Sequence, residues 1–118
     1  MYGLPSDFDS SVFVGHRLES VTFAENVIVL DFSDAISVSI SGTVLYQESP
    51  AASPQRERPA ASRTSLISAV GRTVEAVELK SPRELILRLE RSFSVTLLDD
   101  SDAYECYLIS VGDQEIVV

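Results

Sequence analysis

The chain has 118 residues, 45% of them hydrophobic, one cysteine and a formal net charge of −9. That length suits one domain with a real core, while a single cysteine excludes an internal disulfide or a multi-cysteine metal site. The acidic balance disfavours a nucleic-acid binder, which needs a basic surface, and no apolar run approaches the roughly 20 residues of a membrane span.

Residues 1–11 read as a loose arm pinned by Leu4 and Phe8, with acids where a signal peptide carries bases and no apolar stretch following. A cytoplasmic protein is therefore expected. From Val12 the pattern becomes β-like. Ile28, Leu30 and Phe32 alternate with Val29 and Asp31, and after a turn through Ser33 and Asp34, Ile36, Val38 and Ile40 alternate with serines. That period of two describes antiparallel strands with one buried and one wet face. Gly42 breaks the run, and Thr43 to Gln47 reads as a further strand.

Residues 49–64 carry three prolines, a duplicated Pro-Ala-Ala-Ser and no large apolar side chain. With so little area to bury, the stretch is expected to be a mobile linker. Ser65 to Val70 is the one expected short helix, closed by Gly71. Strands are then expected over 72–79, 84–90, 93–98 and Tyr104 to Ser110, with a turn at Gly112-Asp113 and a final strand from Glu115 to Val118.

The two halves repeat one another. Gly15-His16-Arg17-Leu18 returns fifty-six positions later as Gly71-Arg72-Thr73-Val74, and one inserted residue brings Ile28–Phe32 and Ile36–Ile40 onto Leu85–Leu89 and Phe93–Leu97. The expected fold is mainly β, one domain over 1–118: two pseudo-symmetric antiparallel meanders (about 12–48 and 65–118) forming a sandwich or partly open barrel. Each half is expected to supply one sheet. Ile28, Leu30, Phe32, Ile36, Val38, Ile40, Leu85, Leu87, Leu89, Phe93, Val95 and Leu97 should line the core. In the first strand of each half the apolar positions fall at Leu18, Val21, Phe23 and at Val74, Val77, Leu79. A gap of three followed by two leaves one face of a regular strand, so a β-bulge near Glu19-Ser20 and Glu75-Ala76 is expected, or a single-turn helix entering each strand.

Few residues point to chemistry. His16 is the only histidine, its repeat counterpart is Arg72, and an exposed strand-start role is expected rather than general-base catalysis. Cys106 alternates with Tyr104 and Leu108 and has acidic neighbours, which suits a small buried hydrophobe better than a nucleophile. Asp99, Asp100, Asp102 and Glu105 form the strongest local charge feature, either a solvated hairpin tip or a surface for a basic partner. Their spacing lacks the order of a calcium loop. No catalytic residue, cofactor site or metal site is expected.

The run Leu66-Ile67-Ser68-Ala69-Val70-Gly71-Arg72-Thr73-Val74, then Asp102-Ala103-Tyr104-Glu105-Cys106-Tyr107-Leu108-Ile109 and Gly112-Asp113, resembles an uncharacterised family of small bacterial domains. That family pairs a Gly-Arg entry with a Tyr-Glu pattern, and it departs from this chain in carrying a tryptophan where Tyr107 stands and a Gly-rich tail. The resemblance implies the repeat architecture and no activity. In size and acidity such domains look similar to immunity proteins of bacterial toxin systems. The expected function is a non-catalytic protein-binding module facing a basic protein partner, with no nucleic acid and no membrane involved. The alternatives are a homodimer joined through the edge of the last strand, or an enzyme of unknown chemistry.

Overall fold

The computed structural model of the protein describes residues 3–61, 63–99 and 106–118. It is mainly β, and the described residues form ten strands in two antiparallel sheets of five. In chain order the strands are β1 (Leu18–Phe23), β2 (Ile28–Phe32), β3 (Ile36–Ile40), β4 (Val44–Gln47), β5 (Gln55–Glu57), β6 (Val74–Ser81), β7 (Glu84–Leu89), β8 (Phe93–Leu98), β9 (Tyr107–Val111) and β10 (Gln114–Val117). One sheet has the order β1-β2-β3-β9-β10 and the other β5-β4-β8-β7-β6.

Those two orders are the same arrangement written twice. β1 to β5 correspond one for one to β6 to β10, and each half builds a three-stranded meander before its fourth strand crosses to the opposite sheet. β4 pairs with β8, and β9 pairs with β3. This corrects the expectation that each half supplies its own sheet: each sheet is three strands of one half completed by two of the other. Periodicity cannot reveal the exchange, because alternation fixes which face of a strand is buried but not which neighbour it pairs with.

The inner faces share one hydrophobic cluster, and all twelve side chains expected in the core are in it. Its β2 and β3 positions show strict alternation of buried and half-buried residues, as do those of β8. Phe13 meets Phe32 edge to face at 5.6 Å, and Tyr46 stacks on Phe93 at 5.9 Å with Arg72 over the other ring's centroid at 4.9 Å.

Both devices suggested for the first strands are present. The β1–β2 register shifts between Leu18 and Ser20, and the β6–β7 register between Val74 and Ala76, so Leu18, Val21 and Phe23 oppose Phe32, Leu30 and Ile28 on the core face. A single-turn 3-10 helix also enters each strand, Leu66–Ala69 as expected and Ser10–Phe13 across the boundary between the segment read as a loose arm and the one read as β-like. The first of these turns is capped by Asp9, which accepts from the Ser11 N–H.

Residues 55–57 lie inside the stretch read as a linker without structure, and there the composition misleads. They form β5, pairing Val44 with Glu57 and Tyr46 with Gln55. The strand owes its place to backbone bonding and to the Tyr46 hydroxyl, which donates to Glu57, rather than to apolar burial of its own.

Candidate functional site

Ten paired strands leave four sheet edges, and the chain treats them differently. β5 is only three residues long. β1 carries one bulge and β6 two, with Glu75, Glu78 and Lys80 exposed along the latter. Short length, bulges and charges are the usual ways of blunting an edge. β10 has none of the irregularities: it pairs with β9 without a register shift, from Gln114 opposite Val111 to Val117 opposite Leu108.

The bonding phase of β10 is set by its end. Val118 donates to the Tyr107 carbonyl at 2.9 Å and accepts from the Tyr107 N–H at 3.3 Å. In an antiparallel ladder such mutual pairs alternate, so Ile116 and Gln114 also bond inward to β9, while the N–H and C=O of Glu115 and Val117 point away from the sheet. No backbone hydrogen bond outside the strand ladders joins them to a described residue.

Beside this edge lies a groove of about 290 Å³. Val111, Gln114 and Ile116 form one wall, and Pro5 and Phe8 of the arm with Val12 of the Ser10–Phe13 turn form the other, with Asp7 and Asp9 at its polar side. The arm is held across the fold by Leu4, whose N–H donates to the Pro82 carbonyl at 2.7 Å and whose side chain is buried. The hydroxyl and then the N–H of Ser11 bond to the Asp9 carboxylate and hold its pKa below the ordinary value. Every charged residue in 1–15 and 92–118 is an acid, and Asp7, Asp9, Asp113 and Glu115 among them are exposed.

Of the acidic residues singled out in sequence, Asp99 is corrected. It is 3% exposed, accepts from the Gly3 N–H at 2.8 Å and lies 3.4 Å from the Cys106 thiol, so its carboxylate faces the interior. Burial pushes its carboxyl pKa up, but hydrogen bonds, Gly3 and Cys106 among the donors, outweigh that and leave it below the ordinary value. Asp100, Asp102 and Glu105 lie outside the described residues.

Cys106 is buried as expected, although the alternation was out of phase. In β9 it is Tyr107 and Ile109 that face the core, and Leu108 is half-buried. Tyr107 has a buried hydroxyl without a hydrogen-bond partner among the described residues, and burial, then the nearby Asp99 and Cys106, raise the phenol pKa far above its ordinary value. His16 is half-buried rather than exposed, its Nδ1 3.2 Å from Ser33 Oγ and 3.4 Å from an Asp34 carboxylate oxygen. Arg72 holds the matching place in the second half, donating to the carbonyls of Ser68 and Glu90. Both side chains tie the entry of a first strand to the turn after the second, which is structural work.

The described residues contain no cluster of three or more His, Cys, Asp or Glu side chains arranged to hold a metal, and no helix among them is long and apolar enough to cross a membrane. The chain matches no family model, no curated protein and no solved structure.

Proposed function

We propose that this protein is a non-catalytic binding module for a basic protein, and that it engages that partner through the anionic pole formed by the arm and the β9–β10 hairpin. One observation carries the reading: β10, the longest edge strand among those described that pairs without a register shift, lies where Asp7, Asp9, Asp113 and Glu115 are the charged side chains and no base occurs in the same segments. Like charges around an edge repel a second copy and attract a cation-rich surface, which favours a heterologous partner over the homodimer alternative. A toxin or nuclease with a basic working surface is the class of partner this arrangement suits, in keeping with the likeness to immunity proteins.

The acidic segment first considered for this role loses Asp99 to the interior, so the proposed contact set moves to Asp7, Asp113 and Glu115, all exposed. The test compares affinity capture at low salt by the unmodified protein and by a variant carrying Asp7→Lys, Asp113→Lys and Glu115→Lys. A basic protein retained by the first, released by salt and absent from the second is the expected result. Identical retention by both would overturn the assignment.

A further inference from the structure

Resting on the reading that the partner is a basic protein, we propose how it binds: an extended segment of the partner adds as a sixth strand along β10, placing lysine or arginine side chains at alternate positions into the groove beside it. The groove lies on the inner face of the sheet, since Gln114 and Ile116 line it and Ile116 belongs to the core cluster. A strand laid against Glu115 and Val117 would bond to their outward N–H and C=O groups, and its own side chains would alternate between that inner face and solvent. Every second residue would therefore enter the groove.

The walls choose the side chain. At about 290 Å³ the space lies just under the lower end of the range of roughly 300–1,000 Å³ common for small-molecule sites, and it suits side chains entering from an edge. Phe8, Val12 and Ile116 offer apolar surface to a methylene stem, and Asp7 and Asp9 offer carboxylates to the charged head. Lysine and arginine divide in the same way, with an apolar stem and a cationic tip. A second copy of this chain would bring Gln114, Glu115, Ile116 and Val117 to the edge instead, a sequence with an acid and no base.

The experiment uses the full chain and a short peptide alternating lysine and valine, with backbone amide exchange read by NMR. Expected is salt-sensitive binding in which the Glu115 and Val117 amides exchange at least about tenfold more slowly, while Val117→Pro, which removes an outward donor that no internal bond uses, weakens binding by about tenfold or more. The exchange measurement on the unmodified chain stands even should the proline variant fail to fold. Binding with no protection at these two amides would overturn strand addition and leave the basic-partner reading intact. Failure of the peptide to bind at low salt would overturn the proposed recognition, again without touching capture of a basic protein by another surface. Protection of the same amides without peptide, together with a dimer in sedimentation, would overturn the choice of occupant in favour of a second copy.

Discussion

Gly15 and Gly71 each hydrogen-bond into the other's repeat: the Gly15 N–H donates to the Val74 carbonyl and the Gly71 N–H to the Leu18 carbonyl, both at 2.8 Å. Between them Arg17 bridges Thr73. The bonds are mirrored by Leu18 donating to Arg72 at 2.9 Å and Val74 to His16 at 2.9 Å, so the junction between the halves is itself two-fold in its chemistry.

Both glycines are left-handed, with φ of +86° and +94°, and a β-carbon at either would meet nothing within 4 Å. Gly15→Ala and Gly71→Ala should therefore each destabilise through backbone strain alone, by about 1–2 kcal/mol. Chemical denaturation checks this, and near-equal losses are expected because the surroundings are equivalent.

The turns after β2 and β7 run the other way. Asp34 and Ala35 have φ of +62°, and Arg91 and Ser92 of +60° and +63°, with no glycine in either turn. Ala35→Gly and Ser92→Gly should relieve the strain by more than the added unfolded-state freedom takes away, a net gain of roughly 0.5–1 kcal/mol each. A raised melting temperature for both variants is the expected reading.

Among the described residues nothing hydrogen-bonds the buried Tyr107 hydroxyl, so no bond offsets its desolvation. Tyr107→Phe keeps the ring and removes the orphan group, and should stabilise the fold by about 1 kcal/mol. Loss of stability on denaturant unfolding would show that the hydroxyl is satisfied in solution.

Asp99 gives the fold a pH dependence. Its folded pKa is lower than the ordinary 3.8, so its contribution is fully present above that value and is lost as pH falls through the folded pKa. Asp99→Asn should consequently be less stable than the unmodified chain near neutrality, and the gap should narrow below pH 3.8. Unfolding curves at neutral and strongly acid pH measure it.

Much of the architecture is written locally. Leu30 and Leu87 alternate with their neighbours and are both fully buried, and the broken spacing of Leu18, Val21 and Phe23 requires the bulge that the register shows. What escaped depends on distant chain. Asp99 reads as solvated because it is one of four acids clustered around Ser101 in sequence, yet it is covered by Gly3, 96 positions away. The groove likewise exists only because Phe8 and Val12 return beside Ile116. β5 escaped because Gln55, Arg56 and Glu57 have no apolar signature, their strand being a backbone property. The turn at Ser10–Phe13 had a legible cue in Asp9-Ser10-Ser11 and a visible copy at Leu66–Ala69.

Trading fourth strands has a thermodynamic corollary. Arrays of stacked repeats melt piecemeal, because each unit leans only on its neighbours. Here β9 separates β3 from β10, and β4 separates β8 from β5, so loosening either half tears a seam through the middle of both layers. The exchange yields a molecule whose two parts must melt together.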